Sequence, residues 1–196
     1  MVIRAAVLAV LTLALAACSG GPDERLAAPV RIAPDLMVTL PQPGELGRDV
    51  EASQLLTARY GEQAFTFEAR LSATADRFLM VGIDPMGREL LRITWTSTGV
   101  DSVAAPWLPS TLRAENMLAD IVLLYWPEEI VRRTVAASGG VLVSGPHSRQ
   151  IWVGGREVMR ADYRPADGAN LWSGRLSYRN LAWGYELDIQ SSEVRP

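Results

Sequence analysis

Lysine is absent from this sequence, and cysteine and histidine occur once each. All 19 basic residues are therefore arginines, Arg132 and Arg133 are the one adjacent pair, and the formal net charge is −3. The basic patch that nucleic-acid binding requires is missing, so we expect no nucleic-acid partner. A lone cysteine cannot form an internal disulfide, and one cysteine with one histidine is too few for the usual zinc site.

The sequence also lacks the common catalytic motifs. It has no Gly-x-Ser-x-Gly elbow, no phosphate-binding loop and no dinucleotide fingerprint. His147 stands beside Ser148 in a loop-like stretch, but nucleophilic catalysis needs a base that a third group orients. No pair of carboxylates is singled out by its spacing. We expect a protein that is not an enzyme and holds no cofactor or metal, with His147 as an exposed loop residue.

One long apolar run is present, at the N-terminus. Residues 1–17 carry one positive charge, Arg4, followed by apolar residues up to Cys18. The run is too short to span a bilayer stably and is typical of a signal peptide. Residues 15–18 have the pattern of a bacterial lipobox, in which the cysteine thiol is alkylated with diacylglycerol and the chain is cut just before it. An ordinary cleaved signal with a chance cysteine is the alternative.

The remaining sequence predicts a tether and one domain. The segment 18–49 is rich in proline, glycine and small residues, as in an extended, poorly packed linker. Residues 50–196 are enough for one domain with a substantial core. No second apolar stretch reaches the ~18 residues that span a membrane, so the lipid on Cys18 is the expected anchor. Ser19 resembles an outer-membrane address, which predicts attachment to the periplasmic face of that membrane.

From Tyr60 onward the hydrophobic pattern has the period of β-strands. Apolar residues alternate with polar ones over 65–71, 91–95 and 185–189, as in strands with one solvated face. Turn residues at 84–87 and at Gly154–Gly155 predict two β-hairpins. We count about four strands before the helices and about five after them. Residues 51–58 are compatible with either a helical turn or the start of the first strand.

An apolar helix over 112–126 separates the two groups of strands. One face of this helix carries Met117, Leu118, Ile121, Leu124 and Tyr125. The opposite face carries Glu115, Asn116 and Asp120, and is interrupted by Leu123 and Trp126. Pro127 ends the helix and begins a second one, which Gly139 and Gly140 end.

Strands, an embedded helix pair, further strands and a lipobox resemble the LolA/LolB-like fold, a barrel closed by helices around an apolar cavity. More closely, the stretches 80–87, 118–127 and 185–189 are similar to the DUF3261 family of uncharacterised Gram-negative lipoproteins, over about residues 50–196. The resemblance implies a mainly β (α+β) fold. We expect an incomplete antiparallel β-barrel of about nine to eleven strands that encloses a helix–Pro–helix unit.

The same resemblance implies a lipid-handling accessory protein of the outer membrane, in aryl-polyene or related lipid pathways, and it supplies no catalytic residues. An apolar cavity with a few polar groups is the usual form of a lipid site. Core packing explains any single apolar residue equally well. The residues we expect to line such a cavity are Phe65, Phe67, Ile93, Trp95, Leu118, Ile121, Val122 and Tyr125.

Three functions are open at this point. The first is a membrane-anchored monomer that binds acyl chains or lipidated cargo without covalent chemistry. The second is a structural or assembly subunit that binds an envelope protein, which an exposed apolar patch near Trp107 or Leu123 on a filled barrel would favour. The third is an enzyme acting on lipid-linked substrates, which ranks last because no catalytic constellation supports it.

Overall fold

The computed structural model describes residues 29–108, 113–166, 168 and 170–194. A short hairpin comes first, made of β1 (Val30–Ala33) and β2 (Leu36–Val38), and a 3₁₀ helix, Pro43–Leu46, follows it. The other strands and helices are β3 (Val50–Tyr60), β4 (Gln63–Ala73), β5 (Arg77–Ile83), β6 (Glu89–Thr96), β7 (Gly99–Ala104), α1 (Ala114–Tyr125), α2 (Glu128–Ala136), β8 (Gly140–Gly145), β9 (Ser148–Val153), β10 (Arg156–Pro165), β11 (Gly174–Asn180) and β12 (Tyr185–Glu193).

Ten of these strands form one antiparallel sheet in the order β7-β6-β5-β4-β3-β12-β11-β10-β9-β8. The chain enters the sheet in its middle, meanders out to the edge strand β7, crosses through both helices to the other edge, and returns until β12 pairs with β3. Helix α1 contacts β7, and α2 contacts β8. The predicted incomplete barrel around a helix–Pro–helix unit is confirmed, because the sheet is not closed and α1 lies against its inner face, where Gln54 of β3, Tyr163 of β10 and Tyr178 of β11 form hydrogen bonds to it.

The predicted period-two pattern places one face of each strand in the core. Phe67, Ala69 and Leu71 of β4 are buried, and so are Ile93 and Trp95 of β6. Both predicted hairpins are present. Asp84 accepts hydrogen bonds from the backbone N–H groups of Met86 and Arg88 at 2.9 and 2.8 Å, which fixes the β5–β6 turn.

Residues 51–58 belong to β3, which resolves the choice between a helical turn and a strand. This strand pairs with β4 on one side and β12 on the other, so it lies at the centre of the sheet. Its inner face buries Val50, Ala52 and Leu56. Alternation in β3 is weak in the sequence because Gln54, a polar residue, occupies an inward position.

Helix α1 is buried around most of its circumference, from Leu118 to Tyr125. The prediction that Asp120 lies on a polar face is wrong, because Asp120 is 8% exposed. Leu123 is one of the two positions at which an exposed patch would favour the assembly function, and its side chain is buried. The physical reason is that α1 contacts the β1–β2 hairpin as well as the sheet. If α1 packed on the sheet alone, its opposite face would be exposed to solvent, and the hairpin covers that face.

The prediction of a poorly packed tether over residues 18–49 is wrong for the described part of that segment, which contains the N-terminal hairpin. From Val30 onward the chain packs into the core, with buried side chains Val30, Ile32, Ala33, Leu36, Val38, Leu40 and Leu46. Pro34 lies in the β1–β2 turn, and Pro43 is buried at the start of the 3₁₀ helix. The packed part of the described chain therefore includes the N-terminal hairpin from residue 30 onward. The predicted signal peptide, Cys18, Ser19 and the rest of the tether lie outside the described residues.

Within the described residues, no helix has the length and apolar character needed to cross a membrane.

Candidate functional site

A cleft opens at the end of the half-barrel where α1 ends and β9 begins. Its volume is about 520 Å³. Because β12 ends and the β10–β11 loop turns at the same end of the antiparallel sheet, segments distant in sequence meet there. We call this feature the terminal cleft, and its lining residues are Leu46, Arg48, Tyr125, Trp126, Pro127, Arg149, Asn170, Leu171 and Trp172.

Aromatic rings form the wall of the terminal cleft. The rings of Tyr125 and Trp172 stack with their centroids 4.2 Å apart and an interplanar angle of 23°. Trp126 packs against Trp95 and Phe78, with centroid distances of 5.6 and 5.9 Å. Trp126 thus separates the terminal cleft from the aromatic core behind it. Its indole Nε1 is buried and has no hydrogen-bond partner in the described part of the chain.

Arg149 brings a buried positive charge to the terminal cleft. Its side chain donates from Nη1 to the backbone oxygens of Leu123 and Leu124, at 2.9 and 3.2 Å. Tyr163 also donates to the Leu124 oxygen, at 2.8 Å. These bonds satisfy carbonyls at the C-terminal end of α1, where a positive charge is favourable. Among the described residues, no carboxylate lies within 4.0 Å of the Arg149 guanidinium.

Arg48 lies at the rim of the terminal cleft and is half-exposed. Its Nη1 lies 2.5 Å from Glu193 Oε1, and its Nη2 donates to Asn170 Oδ1 at 3.4 Å. Asn170 in turn donates to Glu193 at 2.5 Å. Among the described residues that line the cleft, the two charged ones are both arginines, and Glu193 pairs with Arg48 at the rim.

Tyr125 is held in place from behind the cleft. Gln54 donates from Nε2 to the Tyr125 hydroxyl at 2.9 Å and to Ser191 Oγ at 3.0 Å. Burial raises the pKa of Tyr125 to about 12. The hydroxyl is therefore neutral at ordinary pH and acts as a hydrogen-bonding group that fixes the ring against Trp172.

A second buried polar group lies deeper, between α1 and strands β11 and β12. Tyr178 donates to Asp120 Oδ1 at 2.5 Å, and Tyr185 donates to Asp120 Oδ2. Asn180 lies within 3.4 Å of the Tyr178 hydroxyl, 3.3 Å of the Tyr185 hydroxyl and 3.4 Å of the Ile32 oxygen. Burial raises the pKa of Asp120 to about 6, against the opposing effect of the two tyrosine hydrogen bonds. We call these residues the Asp120 cluster.

The residues predicted to line a cavity do not all lie together. Tyr125 borders the terminal cleft, whereas Phe65 is 36% exposed on β4, toward the opposite end of the sheet. The others are buried in the core, namely Phe67, Ile93, Trp95, Leu118, Ile121 and Val122. Their role as ligand contacts stays a prediction. Cys18, the predicted lipid attachment site, lies outside the described residues.

The cleft arginines, Arg48 and Arg149, were not among the residues predicted from the sequence. Arg149 could have been found, because the period of two in β9 places it on the same face as Ile151, which is buried. Arg48 carries no such signal, since it precedes β3 in irregular structure. His147 is exposed in the β8–β9 turn, as predicted. No group of three or more potential metal ligands occurs among the residues that the structure describes.

A family model described as a protein of unknown function, DUF3261, matches residues 51–193. The chain belongs to the DUF3261 family. This confirms the resemblance seen in the sequence. Every residue of the terminal cleft except Leu46 and Arg48 falls within the part of this DUF3261 chain that the family model matches.

Two solved structures resemble the DUF3261 chain at low sequence identity. A LolA superfamily protein of Nitrosomonas europaea is 9% identical, with a TM-score of 0.44 over 81% of this chain and 89% of that one. A DUF1329 family protein of Desulfovibrio piger is also 9% identical, with a TM-score of 0.34 over 76% of this chain and 87% of that one. No curated protein matches the sequence.

Proposed function

We propose that the protein is a lipid-anchored envelope protein that binds an acyl chain, either free or as part of a lipidated cargo. The observation that carries this proposal is the terminal cleft, whose wall is aromatic and aliphatic. Its volume of about 520 Å³ lies within the ~300–1,000 Å³ range of small-molecule sites. Each methylene that leaves water for such a wall contributes about 0.8 kcal/mol, so a short length of chain is enough for binding.

The proposed entry route begins at the terminal cleft and leads towards the half-barrel interior. Trp126 stands between the cleft and Trp95, so an acyl chain that displaced the Trp126 ring would reach the predicted cavity residues. Ile93 and Leu118 are among them, and both are buried. A short chain would be held by the cleft alone, and a longer one would require movement of Trp126.

Location and mode of action complete the proposal. The lipobox at Cys18 would anchor the protein to a membrane, and Ser19 favours the periplasmic face of the outer membrane. Binding would be non-covalent and without catalysis, and His147 lies exposed in the β8–β9 turn. The protein would act as a monomer, accessory to an envelope lipid pathway such as an aryl-polyene pathway.

Native mass spectrometry tests the proposal on a form that starts at Ser19, which keeps every described residue. Purified from the periplasm without detergent, the protein should carry adducts in the mass range of acyl lipids, and organic extraction should release them. A clean mass, together with no uptake of added octanoic acid, would contradict acyl binding.

A charged substitution in the cleft wall locates the site. We expect Leu171→Glu to lower adduct occupancy about tenfold or more, because it places a carboxylate where the acyl chain would lie. The matched control is Leu181→Glu, a change at an exposed leucine in the turn at the opposite end of the sheet. Equal occupancy in both variants would rule out the terminal cleft as the binding site.

One observation favours a second function, that of an assembly subunit. Antiparallel order places several turns at the end of the sheet opposite the terminal cleft, and these turns expose large apolar side chains. They are Tyr60, Met86, Trp107, Leu181 and Trp183, and Met86 is 81% exposed. Exposed apolar clusters of this kind commonly bind other proteins. Loss of cellular function in Trp107→Ser with unchanged lipid adducts would favour this function over acyl binding.

A further inference from the structure

We propose that the terminal cleft selects acyl ligands by an anionic head group, a carboxylate or a phosphate, which Arg149 and Trp126 hold inside the cleft and Arg48 holds at its rim. This inference rests on the proposed function and adds to it the chemical class of the ligand. Three features of the cleft support it: a buried cation, a buried donor without a partner in the described part of the chain, and the charges of the described lining residues.

The buried cation is Arg149, which is 7% exposed. Its hydrogen bonds within the described residues all come from Nη1 and end on neutral carbonyl groups of α1. A buried charge is normally balanced by an opposite charge or by a full set of hydrogen bonds. The carbonyls at the end of the helix supply partial negative charge, whereas an anion in the cleft would supply a full one and would accept from the remaining guanidinium donors.

The second feature is the buried indole Nε1 of Trp126, which has no hydrogen-bond partner among the described residues. Nearly all buried polar groups in proteins have a partner, so an exception needs an explanation. Trp126 lines the terminal cleft together with Arg149. An indole N–H can donate but cannot accept, and the group that would satisfy it is therefore an oxygen acceptor such as that of a carboxylate or a phosphate.

The charge of the lining points to the same ligand. Arg48 and Arg149 are the charged residues in the described lining of the cleft. Glu193 accepts from both terminal nitrogens of Arg48, at 2.5 and 3.3 Å, so Arg149 is the lining cation without a carboxylate partner in the described part of the chain. Arginine binds carboxylate and phosphate groups through two parallel hydrogen bonds. A neutral head group such as an alcohol could not balance the Arg149 charge. An acyl anion would match both the apolar and the charged residues of the cleft. Its chain would contact the aromatic wall, and its head group would accept hydrogen bonds from the guanidinium groups.

Isothermal titration calorimetry of the form starting at Ser19 tests this inference with four probes: octanoate, octyl phosphate, octanol and inorganic phosphate. Charge-assisted hydrogen bonds predict that octanoate and octyl phosphate bind about ten- to a hundredfold more tightly than octanol. Inorganic phosphate should not bind detectably, because it lacks the chain. Inorganic phosphate that bound as tightly as octyl phosphate would overturn the assignment to a lipid and indicate a free anion.

Arginine variants identify the groups responsible. Arg149→Gln should bring octanoate affinity down to that of octanol, and Arg149→Lys should restore most of the difference because it keeps the charge. Arg48→Gln, at the exposed rim, should weaken octanoate binding without disturbing the fold. This variant therefore still tests the inference if Arg149→Gln does not fold. Arg175→Gln is the matched control, since it removes an exposed arginine on β11 that does not line the cleft.

The outcomes separate this inference from the proposed function. Equal affinities for octanoate and octanol in the unsubstituted protein would overturn head-group selection and leave acyl binding in place. Unchanged octanoate affinity in both Arg149→Gln and Arg48→Gln would overturn the assigned residues. No binding of any of the three octyl compounds would contradict the proposed function itself.

Discussion

Asp120 places a carboxyl group inside the half-barrel, where the groups in contact with it are two tyrosine hydroxyls. Burial raises its pKa to about 6, compared with about 3.9 for an aspartate in an unfolded chain. Burial also raises the pKa of Tyr178 and Tyr185, so both hydroxyls keep the protons that they donate. A group whose pKa is higher in the folded state stabilises the folded protein at low pH and loses this contribution as the pH rises through the folded pKa.

We therefore expect Asp120→Asn to change how stability depends on pH. Relative to this variant, the free energy of unfolding of the unsubstituted protein should fall by about 2 kcal/mol between about pH 4 and pH 7, because the carboxyl group ionises in a buried site. Urea denaturation of both proteins across this range measures the difference. Asp101→Asn, at an exposed aspartate on β7, is the control. Parallel pH curves for the Asp120→Asn variant and the unsubstituted protein would show that Asp120 does not titrate in this range.

At the scale of single elements, the β1–β2 hairpin is a structural part of the domain. It contacts α1, and Asn180 of the Asp120 cluster donates to its backbone at Ile32. Leu36 is fully buried at the start of β2. A Cβ atom added to Gly140 would lie 3.3 Å from Leu36 Cδ1, so this side chain packs closely against the beginning of β8.

Leu36→Ala tests whether the hairpin contributes to stability. We expect the free energy of unfolding to fall by about 2–5 kcal/mol, as it does when a large side chain is removed from a packed core. The neighbouring Met37 is 41% exposed, and Met37→Ala should change stability by less than about 0.5 kcal/mol. Thermal or urea unfolding compares the two. Equal, small effects would mean that the hairpin is not part of the cooperative unit.

For the whole molecule, the pairing of β3 with β12 joins the first and last strands of the main sheet. Residues 52–60 pair with residues 185–193, and β12 also pairs with β11. The final strand is thus a central strand. Both halves of the sheet depend on it, because each half is a meander whose inner strand would otherwise be a free edge.

A truncation after Gly184 should therefore abolish cooperative folding of the whole domain. It leaves β3 and β11 without their shared neighbour and exposes the inner face of the sheet to water. Circular dichroism with thermal unfolding measures the result, and a truncation after Val194 is the control because it keeps β12 intact. A truncated chain that retained a sharp unfolding transition would show that the β3–β7 half folds independently.

Local sequence patterns determined the individual elements of this protein. Alternation in β4 and β6, turn residues at Asp84 and Gly87, and Pro127 between the helices predict those strands, that hairpin and the end of α1, since each depends on neighbours a few residues away. The order of the strands around an embedded helix pair resembles the LolA/LolB-like fold, and it is this resemblance that implied an incomplete barrel. The match to the DUF3261 family model supports the same region.

Only the tertiary structure decided which surfaces are covered and what meets in the terminal cleft. Asp120 is polar in the sequence, yet the hairpin and the sheet bury it, because contacts distant in the chain determine exposure. Arg48, Arg149 and Trp172 belong to segments separated by tens of residues, and the pairing of β3 with β12 brings their ends together. Sequence periodicity reports which face of an element is apolar, whereas long-range packing decides which of those faces remains open to a ligand.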